Sequence, residues 1–135
     1  MKTEISLQDV TRALHDSWRP ETSTWGDELP EDNPARGQCA VSSLVIQDYC
    51  GGDLARVHAT GDGIDENHYY NRLDDGTLID TTGQQYGNLK VSLTPNPVDL
   101  EKGGYGSMRE RCLSDEDTLR RYNALSQSVQ KLLSK

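Results

Sequence analysis

Gly37-Gln-Cys-Ala-Val-Ser-Ser-Leu-Val-Ile-Gln-Asp-Tyr-Cys-Gly-Gly52 is the stretch on which the fold turns. Cys39, Ala40, Val41, Leu44, Val45, Ile46 and Tyr49 make a helix over about 38–49 apolar around most of its circumference. Such a helix belongs in the middle of a domain, covered on several sides. Gly51-Gly52 stops it by supplying the positive φ that a helix C-terminus commonly needs. Its first turn carries Cys39, so the fold-defining helix also presents a thiol at its N-terminus.

The rest of the chain reads as cover for this helix. Ser6 caps a first helix over about 6–18, with Leu7, Val10, Leu14 and Trp18 on one stripe. Pro20 ends it, and 19–36 reads as a loop rich in Pro, Ser, Thr and acidic residues, with Trp25 its one large apolar group. Leu54–Ala59 reads as a strand, 60–67 as a polar loop, and His68–Leu73 as a second strand. Asp74-Asp75-Gly76 is a hairpin turn returning a third strand over Thr77–Asp80. Gln84-Gln85-Tyr86 fits a turn of helix, and 90–93 a fourth strand. Pro95, Pro97 and the glycines at 103, 104 and 106 mark irregular chain. Ser114 and Asp117 resemble a capping box for a last helix over about 115–133, with Leu119, Tyr122, Leu125, Val129 and Leu132 on its buried stripe. The pattern predicts one compact α+β domain of 135 residues, the Cys39 helix packed on a small antiparallel sheet between N- and C-terminal helices.

Composition narrows the function. A formal charge of −8 with dispersed basic residues argues against nucleic acid as a partner. No apolar run reaches the length of a membrane span, and Met1-Lys2-Thr3-Glu4 leads into a polar helix rather than a signal sequence, so no membrane partner and a cytoplasmic location are expected. Cys39, Cys50 and Cys112 then default to reduced thiols. His15, His58 and His68 sit in separate elements and form no metal-ligand pattern with the cysteines; no metal or cofactor is expected. A glycine-rich phosphate loop is also missing.

A cysteine at a helix N-terminus followed by a histidine and a carboxylate on strands is how papain-like and transglutaminase-like hydrolases assemble an acyl-transfer site. Helix amides and a neighbouring imidazolium both stabilise a thiolate. Each residue also has a bland reading. Cys39 fits ordinary core, His68 a satisfied strand histidine, and Asp80 a cap for the turn after it. Cys50 lies at a helix C-terminus, where the dipole disfavours a thiolate, and Cys112 has no nearby histidine in sequence. The hairpin register places Asp80 opposite Tyr69 or Tyr70, one side-chain length from His68.

Asn33-Pro34-Ala35, Gly37-Gln38-Cys39-Ala40, Gln47-Asp48, Gly51-Gly52, His68-Tyr69, Asn71, Leu73, Asp75-Gly76, Asp80, Thr82 and Gln85-Tyr86 together resemble the small bacterial YunG-type family. Arg121-Tyr122 and Leu125 in the last helix are also family-like. The resemblance runs from about Trp25 to the C-terminus and implies a cysteine-peptidase-like fold without naming a reaction. The chain departs from the family pattern at Tyr70, where Trp is usual, and at Cys50, where a bulky apolar residue is commoner.

Two functions follow as expectations. The first is a thiol-dependent hydrolase or acyl transferase with Cys39 as nucleophile, His68 as general base and acid, and Asp80 as orienter of the ring. Gln38, Trp25 and Tyr70 are its candidate oxyanion or substrate contacts, and a peptide or small amide or ester its substrate. The second is a non-catalytic binding module holding a peptide or small amide in the cleft near Trp25. Either is expected to be a monomer or a weak homo-oligomer.

Overall fold

A computed structural model describes residues 5–134; the opening Met1–Glu4, read above as a polar lead-in, lies outside them. Helix α1 (Leu7–Ser17) starts at Ser6, whose hydroxyl accepts from Asp9 N while the Asp9 carboxylate accepts from Ser6 N. This reciprocal cap satisfies two amides that the first turn leaves without partners. The helix buries Val10, Ala13 and Leu14, and Trp18 follows with its indole N–H donating to Ser42 at 2.9 Å.

Helix α2 (Cys39–Cys50) is the predicted centre. One side meets α1 and the long C-terminal helix through Val41, Val45, Ile46, Leu125 and Val129. Its other side puts Leu44 against Leu54 and Cys112. Covered on both sides, α2 also buries Ser42 and Ser43. The Ser43 carbonyl accepts from the Asn71 amide at 2.9 Å, a polar tie between helix and sheet. After α2 the chain turns so sharply that a Cβ at Gly52, where φ is 77°, would collide with the Arg72 carbonyl. Only glycine allows that approach.

The sheet is antiparallel, in the order β3-β2-β1-β4. Strands β1 (Asp53–Gly61) and β2 (Ile64–Arg72) pair over their full length, Asp53 with Arg72 through Gly61 with Ile64. This corrects the expected loop over 60–67. Asp62-Gly63 is a two-residue turn with φ of 44° and 87°, and the chain is back in register at Ile64. The turn at Asp74–Gly76 does lead to β3 (Leu78–Ile79), but only these two residues pair with Asn71 and Arg72, and Asp80 lies just past the strand. Strand β4 (Ser92–Pro95) sits two residues later than expected and pairs with β1.

The stretch expected to be irregular contains helix α3 (Leu100–Gly103), and α4 (Met108–Leu113) follows it. Helix α5 (Glu116–Leu133) is capped by Asp115, not by the predicted Ser114–Asp117 pair. Asp115 accepts from both the backbone N–H and the hydroxyl of Thr118, while Ser114 closes α4. The whole is a single compact α+β domain with α2 between a helical layer and the sheet. Among the described residues, no helix is long and apolar enough to cross a membrane.

Candidate active site

The approach to Cys39 is a tightly tied loop. Gly37 has φ 72°, and a Cβ there would lie 2.5 Å from the hydroxyls of both Ser23 and Thr24. The loop can close this far because residue 37 has no side chain. Ser23 donates to the Arg36 carbonyl at 2.6 Å, and Thr24 N donates to the Gly37 carbonyl at 3.1 Å. Gln38 is fully buried and acts as a clamp: its amide oxygen accepts from the Thr22 hydroxyl at 2.8 Å and its amide nitrogen donates to the Arg19 carbonyl at 3.3 Å. Its backbone N–H donates to Ala35. The donors of Gln38, expected to face a substrate, are thus engaged within the protein.

Cys39 is the first residue of α2 and half-buried. First-turn amides of a helix have no carbonyl partner inside it, so the thiol stands beside free N–H groups and the positive end of the helix dipole. The sulfur opens onto a cleft of about 740 Å³ lined also by Trp25, Glu66, Tyr69, Tyr105, Arg111 and Arg121.

His68, which feels the Cys39 sulfur, has no exposed surface. Its Nε2 is 2.8 and 2.9 Å from the two oxygens of Asp80. The short β3 arm therefore delivers Asp80 where the hairpin register predicts it. Nδ1 is 3.3 Å from the Gln85 amide nitrogen, and the Tyr86 ring stands edge-on to the imidazole at 5.4 Å. Burial disfavours charge on the ring. Hydrogen bonds and charge from Asp80 and the Cys39 sulfur outweigh it, and the His68 pKa is raised to about 9. Asp80 thus occupies Nε2, and the Gln85 amide lies against Nδ1.

The remaining thiols differ. Burial raises the pKa of Cys50 and of Cys112.

Trp25, expected near the substrate, does line the cleft, with the Arg36 guanidinium 4.6 Å from its ring centre. Tyr70 does not. It lines a separate groove of about 320 Å³ with Arg56, Arg72, Pro95 and Met108. Sequence reasoning left Gln85 and Tyr86 without a role and passed over Tyr69, Tyr105 and Arg111. Gln85 is also the anchor for the other side of the site, since its carbonyl accepts from Asn33 at 2.7 Å and so ties the turn after Asp80 to the loop before Cys39. Its signal was its place five residues beyond Asp80. Among the described residues, no group of three or more His, Cys, Asp or Glu is placed to hold a metal ion.

Comparison with known proteins agrees with the resemblance noted in the sequence. The family model described as YunG protein matches residues 6–134. A Bacillus subtilis (strain 168) protein described as uncharacterized protein YunG is 35% identical over 112 residues, covering 77% of this chain and 89% of that protein. No solved structure matches the chain.

Proposed function

We propose that this chain, which belongs to the YunG family, is a thiol-dependent hydrolase or acyl transferase acting on an amide, ester or thioester bond. One observation carries the reading. A fully buried histidine is held by a carboxylate at 2.8 Å on one nitrogen and acted on by a half-exposed helix-terminal thiol, at the edge of a cleft.

The chemistry follows from the protonation states. His68, with its pKa raised to about 9, is an imidazolium at neutral pH beside the Cys39 sulfur. The Cys39 sulfur attacks the substrate carbonyl carbon, and the carbonyl π electrons move to oxygen. The first-turn amides of α2 are the donors proposed to hold that oxyanion. His68 gives its proton to the departing amine, alcohol or thiol, leaving a thioester on Cys39. Neutral His68 then takes a proton from water, or from an acceptor amine, as that nucleophile attacks the thioester, and the thiolate–imidazolium pair returns. Asp80 keeps Nε2 protonated and the ring aligned.

The alternative is a non-catalytic binding module, favoured by the aromatic residues Trp25, Tyr69 and Tyr105 around the cleft. p-Nitrophenyl acetate separates the two. The enzyme reading expects a burst of about one equivalent of p-nitrophenolate, an acetyl group on Cys39 by peptide mass, and loss of both in Cys39→Ser. Equal burst and turnover in Cys39→Ser, or acetyl only on other residues, would overturn it.

A further inference from the structure

Tyr70 stands in a groove that the thiol chemistry does not use. Strand β4 pairs with β1 only from Val57, opposite Pro95, to Thr60, opposite Ser92. Pro95 and Pro97 carry no amide hydrogen, so the ladder does not run on past this point, although Asn96 N still donates to the Arg56 carbonyl at 3.2 Å. The edge of β1 before Val57 is left without a strand on that side. A groove of about 320 Å³ opens there, lined by this edge, by Pro95, Pro97 and Val98, and by Met108 at the start of α4.

Its lining side chains are apolar apart from Tyr70, Arg56 and Arg72, and no acid is among them. This sets it apart from the Cys39 cleft, where Glu66 and Asp115 stand among the arginines. Neither cation of the groove is neutralised from within. Arg56, half-buried, gives Nε to the uncharged Asn96 carbonyl at 2.8 Å, and none of the described residues accepts from its Nη groups. Arg72 is exposed, and its cross-strand neighbour Asp53 forms no ion pair with it. Among the described residues, neither arginine has a carboxylate within salt-bridge distance. A guanidinium matches a carboxylate in shape and charge. Apolar walls beside it favour a ligand that also has hydrocarbon to bury.

We propose that this groove binds a small amphiphilic carboxylate, its hydrocarbon tail on Leu54, Val57, Tyr70 and Met108 and its head on Arg56 and Arg72. The site is separate from the thiol cleft, and the inference does not rest on the reaction proposed there. A volume of about 320 Å³ lies at the small end of ligand pockets and suits a tail of roughly eight carbons.

Met108 supplies the reporter. The chain has two methionines, so carbon-13 labelling of their methyl groups gives two NMR signals, and Met108→Leu identifies the one in the groove. Titration with octanoate at pH 7 should move the Met108 signal saturably. Half-saturation should come at about tenfold lower concentration than with octanamide, which has the same tail and no charge. Arg56→Gln and Arg72→Gln should each remove most of that preference. Should Arg56→Gln not fold, the exposed Arg72 decides through Arg72→Gln. A Met108 signal that octanoate does not move saturably, equal half-saturation by acid and amide, or a preference unchanged in Arg72→Gln would overturn the site.

Discussion

Two histidine–carboxylate pairs stand on the same β1–β2 hairpin, and they differ in almost everything but composition. His58, on β1 near the turn, faces its cross-strand neighbour Asn67 at 3.1 Å and the Asp65 carboxylate at 2.5 Å. His68, on β2, faces Asp80 at 2.8 Å. The His58 side chain is 38% exposed and Asp65 more so, whereas His68 has no exposure. Both rings have a raised pKa, His58 first through Asn67 and then Asp65, His68 against an opposing burial term. An exposed pair gains little, because water and salt screen it and two mobile side chains must be ordered. At His68 the ring is sealed from water while Asp80 is one third exposed, so screening is weaker there than at His58. Distance to a carboxylate does not set the two pairs apart; the burial of the ring and the neighbouring sulfur do.

The sharpest contrast is in stability against pH. A group whose pKa is raised on folding contributes fully below its unfolded value, near 6.5, and loses that contribution as pH rises through its folded value. For His68, with its pKa raised to about 9, the window is therefore roughly pH 6.5 to 9. Urea unfolding of the unmodified protein and of His68→Gln should show their stability difference shrinking by about 3 kcal/mol across that window. The same comparison with His58→Gln should be nearly flat. Next in size is the effect of the carboxylates themselves. NMR titration of Asp80→Asn should lower the His68 pKa by one unit or more, whereas Asp65→Asn should move His58 by less than about half a unit. An equal response in both would erase the distinction drawn between the pairs. Smallest is salt: 0.5 M NaCl should lower the His58 pKa by about 0.3 unit and leave His68 in place.

The parts legible in the sequence were those whose side chains report their own surroundings. Helices α1, α2 and α5 announced themselves through apolar spacing, and Asp80 through the turn that brings it back to His68. The first half of β2 was hidden because Asp65, Glu66 and Asn67 are polar while their backbone pairs fully with β1. Its one clue, Asp62-Gly63, was read as loop. Strand β4 is exposed along its length, so no alternation marks where pairing begins. Gln38 looked like a donor free for substrate because nothing local tells that Thr22 and Arg19 consume its amide. Tyr70 fell into a different groove from its neighbour Tyr69, since adjacent strand residues point to opposite faces. Arg121, next to Arg120 on a helix, looks like solvent-facing charge, yet the fold buries it.

Alkylation by iodoacetamide at pH 7, followed at each cysteine by peptide mass, tests the central claim most directly. Cys39 should react about 100-fold faster than Cys50 and Cys112, whose pKa values burial raises. His68→Gln should remove about 100-fold of that rate, and His58→Gln should leave it within about twofold. A Cys39 that reacts no faster than the other two thiols, or whose rate survives His68→Gln unchanged in a folded protein, would contradict the account.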